Sequence, residues 1–157
     1  MLHIEAVEPG TFSLLKKLME LPSLNSFSLV GMFCFIEEVK VDFVYFPHLP
    51  VKPFETIDKI RFYSLADIAA MKIQALLGRA MKKDFFDLHE LLQHFSLQQI
   101  MDWHKQKYPS QMLAISIPHA ITYFVDAEET ETPVCFKNQT WDGVKKGISK
   151  AVRDYLI

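Results

Sequence analysis

The sequence predicts an α+β fold: a small mixed β-sheet within residues 1–63, packed on a larger helical part, residues 64–157. Three observations carry this. Val39 to Phe46 alternates at period two, with Val39, Val41, Phe43 and Tyr45 on one face and Lys40, Asp42, Val44 and Phe46 on the other. Beyond Ser64 the apolar residues change to helical spacing. Ser64, Ser96 and Thr140 each stand just ahead of such a run, where a capping hydroxyl belongs. A length of 157 residues fits one domain, and half of them, thirteen Phe included, are hydrophobic enough to fill a core.

Met1 to Val7 alternates loosely and reads as an edge strand or ordered arm, broken by Pro9-Gly10. Thr11 caps a helix to Leu21, with Phe12, Leu15, Leu18 and Met19 inward. Pro22 to Ser26 has turn composition. Phe27 to Ile36 reads as one long strand through Gly31, turned back by Glu37-Glu38 into the alternating strand. Three prolines make Pro47 to Ile57 a stiff loop, and Lys59 to Tyr63 a short strand. Ser64, with Asp67 as the acidic half of a capping box, opens a helix from Leu65 to about Gly78. Its stripe is Leu65, Ile68, Ala69, Lys72, Leu76 and Arg79.

A second helix begins near Asp84, with Phe85, Leu88, Leu92 and Phe95 toward the core and Asp84 and Asp87 on another face. Ser96, with Gln99, caps a third helix to about Tyr108, whose inner side is Ile100, Trp103 or His104, and Tyr108. Ser110 and Pro118 open helical segments reaching Phe124, and Asp126 to Pro133 is an exposed acidic loop. Thr140 caps the last helix, with Trp141, Val144, Ile148, Val152 and Tyr155 as its apolar stripe.

The helix pair Leu65 to Phe95 holds the strongest polar signal. Two cations interrupt the apolar stripe of the first helix, and the second opens on two aspartates, so the pair gathers Lys72, Arg79, Lys83, Asp84 and Asp87. Such a cluster is either a set of helix-end ion pairs or a site for phosphates and their metal.

The run from Asp67 to Leu92, with Ser26 to Gly31, Val39 to Pro47, Tyr123 to Glu128 and Trp141 to Ile148, resembles the AbiEii-type nucleotidyltransferases. These are the toxin halves of bacterial abortive-infection and type IV toxin–antitoxin systems. The resemblance implies a nucleotidyltransferase-like core, transfer of a nucleoside monophosphate from a nucleoside triphosphate to an RNA (tRNA, for instance) or protein acceptor, and Mg2+ as cofactor. It also implies an antitoxin partner. By the same resemblance Gly31 opens the nucleotide-binding motif, Lys72 meets the triphosphate with Arg79 and Lys83 nearby, Asp87 positions or deprotonates the acceptor, Asp84 shapes the site, and Asp42 is the third metal carboxylate.

One departure matters. The family follows its first glycine with a small-residue turn and then an Asp-x-Asp pair for the metals. Here Met32 follows Gly31 directly, and no Asp-x-Asp occurs in the 157 residues. The core is therefore incomplete, and the chain as written is expected not to turn over. The alternative to an enzyme is a shortened, inactive family member acting as an interaction or regulatory module, prone to form homo-oligomers through uncovered sheet edges.

Other classes are disfavoured. A net charge of −2 gives no basic footprint for nucleic acid. The apolar runs are too short to span a membrane, and Cys34 and Cys135 read as free thiols in a reducing cytoplasm. His89 and His94 are five residues apart, about 140° around a helix, so they cannot form the i, i+4 zinc pair. Neither common glycine-rich phosphate loop is present.

Overall fold

The computed structural model describes residues 24–28, 31–36, 39–44, 46–113 and 116–157, with side chains from Val41 onward. The expected arm at Met1 to Val7, the helix from Thr11 to Leu21 and the Glu37-Glu38 turn lie outside the described residues. Two compact units emerge: one from residues up to His48 together with Glu55–Phe62, the other from Leu49–Phe54 and Tyr63–Ile157.

The first unit is β-structure. Strands β1 (Leu24–Ser28), β2 (Gly31–Ile36) and β3 (Val39–Val44) form a sheet in the order β1-β2-β3. The long strand expected through Gly31 is instead two. Ser28 pairs with Gly31, so the chain reverses there and β2 runs antiparallel to β1. Strand β1 also begins inside the stretch expected as a turn, with an irregular register between Leu24 and Ser26. Strand β3 pairs antiparallel with β2 from Ile36↔Val39 to Gly31↔Val44.

A second, two-stranded sheet joins β4 (Glu55–Ile57) to β5 (Ile60–Phe62). The expected loop at Pro47 to Ile57 thus ends in a strand. Its turn, Asp58-Lys59, takes φ of 49° and 66°, the left-handed pair that lets a two-residue hairpin follow the strands' twist. All ladders among the described residues are antiparallel, where a mixed sheet was expected. The α+β class itself holds.

The second unit is helical: α1 (Leu65–Gly78), α2 (Lys82–Leu91), α3 (Leu97–Lys107), the short α4 (Ile117–Ala120) and α5 (Val125–Glu128), and α6 (Trp141–Leu156). The three expected caps form. The Ser64, Ser96 and Thr140 hydroxyls accept from the amides of Asp67, Gln99 and Gly143, and Gln99 completes a capping box by accepting from the Ser96 amide. Ser110 opens no helix over 111–113, and the expected acidic loop starts inside α5, whose Ala127 is buried.

Helix α1 packs on α2, α3 and α4, while α6 packs on α2 and α3. Their shared core includes Ile73, Leu76, Phe85, Leu88, Ile100, Ile121, Val144 and Ile148, each worth about 1.5–3 kcal/mol on burial. Phe85, Phe124 and Trp141 meet at centroid distances of 5.2–5.8 Å and close the α2–α6 end of the core. The α6 stripe is as expected: Val144, Ile148 and Val152 buried, Trp141 and Tyr155 packed beside them. On α1 the buried face is rotated from the expected stripe. Ala66, Ala69, Ala70, Ile73 and Leu76 face inward and Leu65 is exposed.

Candidate functional site

Lys72 lies on α1, and Arg79, two helical turns on, is its C-cap residue. Asp84 and Asp87 lie one turn apart on α2. The turn between the helices runs through Ala80, at φ 40°, and folds the two faces onto each other. Asp84 becomes fully buried, with both carboxylate oxygens held. Arg79 donates from Nε to Oδ2 at 3.0 Å and from Nη2 to Oδ1 at 3.2 Å, and Lys72 Nζ donates to Oδ1 at 3.1 Å. This is a forked, charge-assisted arrangement that fixes Asp84 firmly. The first turn of α2 adds its positive dipole end.

The Lys72 ammonium also meets Asp87 Oδ2 at 2.6 Å. Lys72 therefore bridges two unlike carboxylates: Asp84 is sealed, whereas the Asp87 side chain is 50% exposed. Lys72 itself keeps a quarter of its side chain accessible. Four of the five expected residues thus come together. The fifth, Lys83, is half-buried and makes no ion pair among the described residues. Its neighbour Lys82 is tied down instead, donating to the backbone oxygens of Glu128 and Thr130 at 3.0 and 2.9 Å.

Gly31 and Asp42 belong to the first unit. Gly31 starts β2 and pairs with both Ser28 and Val44. Asp42 stands in β3 opposite Phe33. Residues 41–44 are all half-buried.

The carboxylates of the helix pair do not fit a divalent metal. Asp84 has both oxygens committed to cations, and Asp87 already holds Lys72. Among the described residues no group of three His, Cys, Asp or Glu side chains could hold an ion.

A second polar centre went unread in the sequence. Lys107, at the end of α3, is buried and donates to Asp67 Oδ1 at 2.7 Å. Asp67 also accepts from the amides of Val51 and Lys52 at 2.8 and 3.1 Å and from the Ser64 hydroxyl at 2.7 Å. Burial pushes the Asp67 carboxyl up, but the Lys107 ammonium and these three donors outweigh it and hold it below its ordinary value. Asp67 was expected as a capping-box acid; its carboxylate ties Leu49–Phe54 to the helices instead. Tyr63 lies 4.9 Å from the ammonium, and burial with the Asp67 charge pushes the Tyr108 phenol up to about 12. The readable signal was Lys107 itself, which continues the buried Ile100 and His104 stripe.

His89 and His94 behave as boundary and surface residues, pairing with Gln139 and Glu90. The His89 ring sits directly on Gly147 of α6, so a methyl group there has no room. Glu90 is held below its ordinary value chiefly by the Lys137 ammonium, and Glu128 by Lys145. No helix among the described residues is long and apolar enough to cross a membrane.

Comparison with known proteins gives one match. The pattern of the family described as nucleotidyl transferase AbiEii toxin, type IV TA system, covers residues 36–149. No curated protein and no solved structure matches the chain.

Proposed function

Because this chain belongs to the AbiEii nucleotidyl transferase toxin family, we propose that its α1–α2 cluster recognises the triphosphate of a nucleoside triphosphate through Lys72. The observation that carries this reading is the Lys72 ammonium, anchored on buried Asp84 yet reachable beside exposed Asp87. A compact cation held in place by a sealed carboxylate is a phosphate contact with little left to order on binding. Arg79, half-exposed on the other side of Asp84, adds a second positive charge.

In the family reaction an acceptor oxygen bonds to the α-phosphorus, the bond to pyrophosphate breaks, and the acceptor proton needs a base. Asp87 is the carboxylate here with access to solvent and acceptor, and it takes that positioning role. RNA or protein hydroxyls are the acceptor class, and a cognate antitoxin is the partner this family implies. Metal clamping of the triphosphate falls to the family's Asp-x-Asp pair, which the 157 residues lack. We therefore assign nucleotide binding and acceptor positioning to this chain, and no transfer step.

Calorimetry with ATP, GTP, CTP and UTP, with and without magnesium, tests the reading. Binding of at least one nucleotide that weakens tenfold or more in Lys72→Met supports it. Absence of binding at millimolar nucleotide, or binding indifferent to Lys72→Met, overturns it.

A further inference from the structure

The two carboxylates on Lys72 differ in a way that makes one replaceable. Asp84 is fully buried and clamped by Arg79 as well, so leaving it would strand a charge in the core. Asp87 reaches Lys72 from the surface, with half its side chain in water, and no other described residue pairs with it. An exposed partner re-solvates at small cost. A triphosphate arriving at Lys72 therefore competes with Asp87 and leaves Asp84 in place.

We infer that nucleotide binding releases Asp87 from Lys72, so the acceptor carboxylate becomes free only once the triphosphate is bound. This inference rests on the function proposed above and adds an order to it: nucleotide first, acceptor second. Before nucleotide arrives, Asp87 Oδ2 is occupied by an ammonium 2.6 Å away. Afterwards the phosphate oxygens take that ammonium, and Asp87 is left to accept a hydrogen bond from an acceptor hydroxyl. The exchange also keeps free Lys72 neutralised, so the empty site does not gather stray anions.

The test is a double-mutant cycle read by inorganic triphosphate binding without metal. Asp87→Asn removes the competitor and is expected to tighten triphosphate binding about two- to fivefold, the range of one exposed ion pair. In a Lys72→Met background the same substitution is expected to change nothing, because there is no ammonium left to free. A gain of equal size in both backgrounds would mean Asp87 acts by general repulsion of the anion, and the exchange would be refuted while triphosphate recognition by Lys72 stood. Loss of affinity in Asp87→Asn refutes it too. Indifference of the wild-type affinity to Lys72→Met instead removes the underlying function. Thermal melts confirm that each variant is folded. Acetylation of Lys72, followed by peptide mapping, gives a readout independent of binding. It is expected to speed up in Asp87→Asn, and an unchanged rate counts against the exchange.

Discussion

Breaking the buried Asp67–Lys107 pair from its two sides is expected to cost unequal amounts. Both side chains are fully buried, and removing one member of such a pair costs about 3–5 kcal/mol. In Lys107→Met, Asp67 keeps three donors: the Val51 and Lys52 amides and the Ser64 hydroxyl. That residual satisfaction puts the variant at the low end, about 3 kcal/mol. In Asp67→Ala, the Val51 and Lys52 amides, the Ser64 hydroxyl and the Lys107 ammonium all lose the carboxylate they share. The loss of one acceptor by several buried donors at once belongs near the upper end, about 4–5 kcal/mol. At about 2–4 °C per kcal/mol, Lys107→Met lowers Tm by about 6–12 °C. Urea denaturation followed by tryptophan fluorescence is the assay, since Trp103 and Trp141 both lie in the helical unit. The pH dependence sharpens it. With the Asp67 carboxyl held low, its contribution is present above the unfolded value of about 3.9 and is lost as pH falls through the lower folded one. Without Lys107 that acid loss begins at higher pH. Two variants each within 1 kcal/mol of wild type, or Lys107→Met costing the more, would refute the reasoning.

Three further outcomes follow. Burial holds the His104 imidazole below its ordinary value, with Nε2 3.0 Å from Gln74 Oε1. The unfolded chain therefore takes up the proton first, stability is full above about pH 6.5 and falls as pH drops through the folded value, and a His104→Gln variant flattens that fall in urea titrations. Lys59→Gly relieves a left-handed residue in the β4–β5 turn, and hydrogen exchange of the Ile57 and Ile60 amides slows by up to about fivefold, or about 1 kcal/mol. Ser96→Ala removes the α3 capping box and lowers stability by about 1 kcal/mol in the same denaturation assay.

Helices were legible where caps and periodicity agreed. Ser64, Ser96 and Thr140 marked their starts because a hydroxyl at the N-cap is a local requirement that tertiary packing does not change. The cluster of Lys72, Arg79, Asp84 and Asp87 was legible for the same reason, since helical spacing alone puts the charges on facing surfaces. The face of α1 was not, because alanines count weakly in a hydrophobic pattern yet are buried here. Strand Glu55–Ile57 hid behind prolines and a turn whose Asp58-Lys59 lacks the usual glycine. The break between β1 and β2 hid in a continuous apolar run, where period two gives no sign of a reversal. Asp67 and Lys107 lie forty positions apart, and only the fold brings them together.

The most direct measurement is calorimetric titration of the wild-type chain and Lys72→Met with nucleoside triphosphates, both shown to be folded. The account predicts saturable binding by the wild type, weakened at least tenfold in the variant. Binding of equal strength by both, or by neither, would contradict it.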